Sequence, residues 1–183
     1  RRNTELMFAT PSKSYWMEVP IIRGNTNELP KNTSVVIIGS GFTGASVGYF
    51  LKKHGFEDVC IIDYKTEESA SFRNCGHILY GTVESMKALC EIHSRKKARE
   101  IWSFSIQVCN EIENTILELG IDAEYRRDGY LVIAISEVED RECRESVKLL
   151  NEMDFRSDYV DSQTVQSLGF KQCFGARFEP GSA

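Results

Sequence analysis

The hydrophobic residues of this chain fall into short unbroken runs and longer helical stripes, and their order predicts an α/β fold. Val35–Ile38 is a β-branched run and Val59–Ile62 another, the pattern of parallel strands covered on both faces. Residues 43–55 between them have helical character. Over residues 84–119 apolar side chains recur at Met86, Leu89, Cys90, Ile101, Phe104, Val108, Ile112, Ile116 and Leu119, near a 3.6-residue period. That spacing predicts one long helix, or two with a break, with Gly120 at its end. Residues 123–127 and 130–135 read as strands joined at Asp128-Gly129, a hairpin signal, and the second is apolar enough to be buried. Residues 137–153 predict a charged amphipathic helix with Val138, Val147, Leu149 and Leu150 inward. Ser162 is placed to cap a short helix ending near Gly169, and residues 176–178 begin a further strand. Residues 1–33 are polar, hold three of the four prolines and follow neither period, so an extended leader anchored by Tyr15 and Trp16 is expected there.

The first strand, helix and second strand carry chemistry at their joints. Gly39, Gly41 and Gly44 form a G-x-G-x-x-G between strand and helix. The first glycine permits the tight turn, the second lets backbone approach a pyrophosphate, and the third lets helix pack on strand. Gly48 repeats the small face one turn later. The new helix offers unpaired N–H groups and a positive dipole end at the turn, which suits a pyrophosphate. Asp63 ends the second strand 24 positions after Gly39, close to the roughly 20-residue spacing at which a carboxylate meets an adenosine ribose. A carboxylate there repels a 2′-phosphate, which disfavours NADP.

Composition narrows the partners. A net charge of −5 gives no long-range attraction for nucleic acid, and the cations at Lys52, Lys53 and residues 95–99 read as solvated helix faces. The six cysteines, at 60, 75, 90, 109, 143 and 173, form no C-x-x-C and have no histidine at metal-ligand spacing, so no metal site is expected. Cys60 sits in an apolar strand, and Cys90 and Cys109 lie on a helix stripe as small hydrophobes. His93 lies near that stripe as a packed or surface histidine. No run approaches 18 apolar residues and no signal peptide opens the chain, so a reducing, cytoplasmic setting without a membrane span is the expectation.

After Asp63 a small polar loop carries a second motif, Ser71, Phe72, Arg73, Asn74, Cys75, Gly76 and His77. Ser71 and Asn74 can bond turn backbone, Arg73 can meet a phosphate or carboxylate bidentately, and Gly76 allows close approach. Such a loop just beyond the second strand lies where ligands of a dinucleotide fold sit.

Taken together, VVIIGSGFTGAS, IID, SASFRNCGH and YRRDGYLVIA resemble the D-amino-acid oxidase and glycine oxidase superfamily of FAD-dependent oxidoreductases, most of all its sarcosine oxidase and glutamylputrescine oxidoreductase branch. In that family S-x-R-N-x-G-H follows the dinucleotide fingerprint, and Ser71, Arg73, Asn74, Gly76 and His77 fill those positions. The resemblance covers roughly residues 29–183. It implies an FAD-binding Rossmann-like sheet of the glutathione-reductase type, with the beginning of a second, mixed-sheet substrate domain. The boundaries implied are a leader over 1–33, the first part of the FAD domain over 34–120, the start of the substrate domain over 121–173, and a return towards the FAD domain over 174–183.

The resemblance also implies FAD held by Gly39, Ser40, Gly41, Phe42, Thr43, Gly44, Asp63, Tyr64, Ser71, Phe72, Arg73, Asn74, Cys75 and Gly76. The flavin would lie near the second motif, and neither Cys75 nor His77 is placed to bond it covalently. The implied reaction is oxidation of an amine or amino acid by hydride transfer to the flavin. His77 is the one catalytic candidate, although a neutral amine needs no protein base. The family's remaining strands and its C-terminal flavin contact are expected from further polypeptide or a partner subunit. Two other readings stand beside this one: a relative acting on a carbon–oxygen bond, as glycerol-3-phosphate dehydrogenase does, and a non-catalytic nucleotide-binding subunit.

Overall fold

A computed structural model of the protein describes residues 14–18, 29–64 and 70–183. The chain forms two compact units, Arg1–Cys75 and Gly76–Ala183.

In the first unit β1 (Val35–Ile38) and β2 (Val59–Ile62) pair in parallel, Val35 opposite Val59 and Ile38 opposite Ile62, and α1 (Phe42–Lys53) crosses between them. Gly48 is buried in α1, and a Cβ there would stand 2.8 Å from the Ile61 Cδ1. The small residue is therefore what lets helix and strand approach. Asp58 closes the far end of the sheet, its carboxylate accepting from the Ser34 N–H at 2.7 Å and the Thr33 hydroxyl at 3.0 Å. Those hydrogen bonds, Thr33's foremost, hold the Asp58 carboxyl below its ordinary range.

Two expectations change here. The strands were expected to be covered on both faces, yet Val36 is 52% and Ile38 86% exposed. Among the described residues α1 covers one face of this two-stranded sheet and no layer covers the other. The helix begins at Phe42 and ends at Lys53, and Gly55 beyond it turns at φ +87°. Of the leader, residues 1–13 and 19–28 lie outside the described residues, as do 65–69 of the polar loop, and Tyr15–Met17 forms a 3-10 turn.

The second unit opens with two helices, α2 (Met86–Ile92) and α3 (Arg95–Leu119). The expected break falls at His93-Ser94, where the exposed His93 ends one helix and the Ser94 hydroxyl accepts from the Lys97 N–H to start the next. Gly120 ends α3 in the left-handed conformation, as its position predicted. The antiparallel sheet has the order β3 (Tyr130–Ala134), β5 (Gly175–Glu179), β4 (Asp158–Asp161). Side chains alternate across it. Ala176, Leu131, Ile133 and Val160 pack with Val165 of α5 (Ser162–Ser167) and Cys173. Arg177 reaches the opposite side, where its Nη1 donates to Ser146 of α4 (Glu137–Glu152) at 2.6 Å. The main core joins Met86, Leu89, Ala98, Trp102, Leu150 and Met153.

The expected hairpin does not form. Residues 123–127 carry no strand, and β3 pairs with β5, Tyr130 opposite Glu179. The cause is Arg127, whose guanidinium bonds Glu113 and Asn110 of α3, the Tyr80 hydroxyl and, at 2.8 Å, the Gly181 carbonyl. Those partners hold the segment on the helix. Gly129 is still required, at φ +92° with the Phe178 ring filling the place of a Cβ. The apolar stripe of α3 is shifted too: Ala98, Trp102 and Cys109 are buried, whereas Phe104 and Val108 are exposed. In α4 Cys143 takes the inward place expected of Val138, which is 53% exposed. The cap of α5 is Asp161, one residue before the Ser162 expected, and it accepts from the Thr164 N–H at 2.9 Å.

Candidate functional site

The glycine turn is wired from both sides. Gly39 leaves β1 at φ +99°, a conformation that favours glycine, and its N–H donates to the Ile62 carbonyl at 2.8 Å. A Cβ on Gly44 would run into the Gly39 carbonyl oxygen, so α1 sits on β1 only because position 44 lacks one. Asp63, at the end of β2, accepts from the Ser40 N–H at 2.5 Å and the Ser40 hydroxyl at 2.8 Å through Oδ2. From the other side the Ser71 hydroxyl accepts from the Phe42 N–H, the first residue of α1, at 2.9 Å. A Cβ on Gly41 would stand 2.8 Å from that hydroxyl oxygen.

The second motif begins as a 3-10 turn, Ala70–Phe72, closed by the Arg73 N–H on the Ala70 carbonyl at 3.0 Å. The Asn74 Nδ2 donates to the Ser71 carbonyl at 2.7 Å, and the Trp16 indole N–H donates to the Asn74 carbonyl at 2.8 Å. Phe72 is half-buried, and Arg73, Cys75, Thr43, Phe42 and Tyr64 are exposed. Of the residues expected to act together, Gly39, Ser40, Gly41, Phe42, Gly44, Asp63, Ser71 and Asn74 are joined in this unit by bond or contact. Gly76 and His77 belong to the second unit, where Gly76 turns at φ +77° and the exposed His77 ring meets Tyr130 edge-on, centroids 5.5 Å apart. Trp16 was expected only to anchor the leader. Its bond to the second motif was not legible, because the partner is a backbone carbonyl 58 residues away.

A phosphate-bearing ligand with a ribose suits this set of donors and acceptors, since helix-start amides favour anions and Asp63 supplies an acceptor. The comparison with known families agrees: the model of the FAD dependent oxidoreductase family (DAO) matches residues 34–183. The chain belongs to this FAD dependent oxidoreductase family. Its relatives include the probable oxidoreductase OrdL of Haemophilus influenzae, 23% identical over 80% of this chain and 33% of that protein. The mitochondrial pyruvate dehydrogenase phosphatase regulatory subunit of Mus musculus is 29% identical over 62% of this chain and 11% of its own length. Among solved structures, glycine oxidase from Bacillus cereus has a TM-score of 0.56 at 22% identity, covering 82% of this chain and 39% of its own. L-amino acid deaminase from Proteus vulgaris, with its specific insertion deleted, has a TM-score of 0.67 at 17% identity, covering 96% and 43%. The likeness to these structures is one of fold, and the chain spans about a third of the Haemophilus protein's length.

FAD is the cofactor of this FAD dependent oxidoreductase family, and the turn passes a test of fit for it. A Cβ built on Gly39 meets nothing within 4 Å, so among the described residues the turn is open at that point. Among the described residues no helix is long and apolar enough to cross a membrane.

Proposed function

We propose that this chain is the cofactor-binding portion of an FAD-dependent enzyme that oxidises an amine or amino acid. The observation that carries the reading is the glycine turn braced by Asp63 and Ser71. In this reading Gly39, Gly41 and Gly44 with the first amides of α1 hold the pyrophosphate, in a Rossmann-like arrangement of the glutathione-reductase type, and Asp63 holds the ribose with its brace on Ser40 kept. Arg73 and Asn74 help hold the cofactor. A guanidinium stays protonated at any working pH, so Arg73 stabilises charge and moves no proton. Ser40, Phe42, Thr43, Tyr64, Phe72 and Cys75 line the same site.

Held there, FAD would supply a hydride acceptor for the oxidation of a carbon that bears nitrogen. The substrate class is carried over from neighbours named for glycine and L-amino acids. Residues 34–120 are the first part of the FAD domain and residues 121–173 the start of the substrate domain, whose sheet β5 completes. The bare face of Val36 and Ile38 is the place where the rest of the family's polypeptide adds, in the same chain or as a partner subunit. The six cysteines are free thiols, which suits a reducing compartment such as the cytoplasm.

The test is chemical. Protein denatured and chromatographed should release FAD, and recovery of NAD alone would sink the proposal. A second reading, a nucleotide-binding subunit without turnover, is favoured by the regulatory subunit among the relatives. Flavin release together with no oxidation of any amine by the complete assembly would select it.

A further inference from the structure

We propose that Trp16 is a positioning residue for the dinucleotide turn, acting through a three-bond relay that ends on the first amide of α1. The relay is continuous within the first unit. The Trp16 indole N–H donates to the Asn74 carbonyl at 2.8 Å, the Asn74 Nδ2 donates to the Ser71 carbonyl at 2.7 Å, and the Ser71 hydroxyl accepts from the Phe42 N–H at 2.9 Å. Each link fixes the next. The indole holds the peptide after Asn74, the Asn74 side chain holds the peptide after Ser71, and the backbone of Ser71 determines where its hydroxyl stands. That hydroxyl oxygen lies 2.8 Å from where a Cβ of Gly41 would be, so its position sets the space over the second glycine of the fingerprint.

Trp16 is itself held, half-buried and edge-on to Tyr15 with centroids 5.2 Å apart. It therefore need not touch a cofactor to govern its binding. Loss of the indole N–H leaves the Asn74 carbonyl with one donor fewer, and the turn that presents Ser71 loosens. The effect on affinity rests on the FAD reading above, whereas the effect on the Phe42 amide does not.

The experiment uses the 183-residue chain and Trp16→Phe, which keeps an aromatic ring and removes the donor. In cofactor-free protein, amide exchange at Phe42 should quicken about fivefold, the loss of one ordinary hydrogen bond. The Ser40 amide, which bonds Asp63 outside the relay, and the His54 amide at the far end of α1 should hold their rates. A purely structural loss would quicken all three together and overturn the proposal. Asn74→Ala cuts the next link and should quicken Phe42 likewise. The double variant should add little to either single change, since both cut one chain. Added FAD should bind Trp16→Phe about fivefold more weakly. Wild-type Phe42 exchange in both single variants would refute the relay. FAD bound by neither form of the complete assembly would count against the cofactor reading, leaving the Phe42 rates to decide the relay.

Discussion

Alanine at Gly44 and alanine at Gly48 are the same change one helical turn apart, and the structure assigns them different costs. At Gly48 the new Cβ meets the Ile61 Cδ1 at 2.8 Å, the tip of a side chain that can turn. An off-rotamer shift costs about 0.5–1.5 kcal/mol, and replacing a mid-helix glycine returns about 1 kcal/mol, so the net effect is near zero. At Gly44 the obstacle is the Gly39 carbonyl, a backbone atom whose own N–H is tied to Ile62. Relief requires α1 to lift from β1. Overpacking of that kind costs about 1–3 kcal/mol, and lifting also strains the Ser40–Asp63 and Phe42–Ser71 bonds, about 0.5–1.5 kcal/mol each. With the same helix credit the net loss is about 3 kcal/mol, roughly a hundredfold in the opening constant. Native-state hydrogen exchange of the β1 and β2 amides measures it locally, with the β3–β5 amides as reference, because a global melt would average two units. Equal exchange in Gly44→Ala and Gly48→Ala would refute the reasoning.

Three other outcomes are expected. Gly41→Val should abolish FAD binding in a flavin titration, since the side chain meets both Ser71 and the approaching ligand; Asp63→Ala should weaken binding by about 1.5–3 kcal/mol, and Asp63→Asn, which can still accept from Ser40, by less. Wild-type flavin content in Gly41→Val and Asp63→Ala would reject the assignment. His77→Ala in the complete enzyme should keep turnover within about tenfold, or 1.4 kcal/mol in the barrier, and a thousandfold loss would make His77 catalytic. Asp140 accepts from the Tyr159 hydroxyl at 2.7 Å and from the Arg144 Nε at 2.9 Å, which hold its carboxyl below the ordinary aspartate value. Its stabilisation is therefore present above about pH 3.9 and lost as pH falls through the depressed value. Asp140→Asn should flatten that acid limb of Tm against pH, and an unchanged slope would count against the ion pair.

Among the described residues of the first unit, the two strands and the helix between them were legible. Both strand runs were read with their bounds, because β-branched residues without charge have few other uses, and the glycines and Asp63 followed at spacings fixed by the chain's own geometry. In the second unit the elements were legible and their partners were not. Tyr130–Ala134 is a strand as read, but its mate lies beyond a helix, a strand and another helix. The Asp128-Gly129 signal was real, since Gly129 does turn at positive φ, yet it served to seat the Phe178 ring. Nothing local announces that Arg127 has four partners on α3, Tyr80 and Gly181. Phe104 and Val108 were misplaced for a similar reason: hydrophobicity sets a stripe, whereas burial depends on which side α2 and α4 arrive from. Ala98, a small residue of no hydrophobic weight, is fully buried where those helices meet.

The fingerprint glycines answer first to the protein. Gly39 is required by its φ of +99°, Gly41 by the Ser71 hydroxyl and Gly44 by the Gly39 carbonyl, and none of these demands involves a ligand. A fold that packed a helix this closely on a strand and bound nothing would keep the same three glycines. The argument for a cofactor therefore turns on what the glycines do not explain. Packing has no use for a negative charge at the end of β2, since any neutral acceptor could take the Ser40 N–H, and the cap on the start of α1 comes from a loop 29 residues on rather than from the residue before the helix. Asp63 and Ser71 brace the turn from opposite sides, and a carboxylate and a hydroxyl are the groups that bond a ribose or a phosphate. Both stand against the start of α1, where an anion is favoured. The proposed cofactor reading rests on that coincidence of an acid, a hydroxyl and a helix start, which a tight corner alone does not call for.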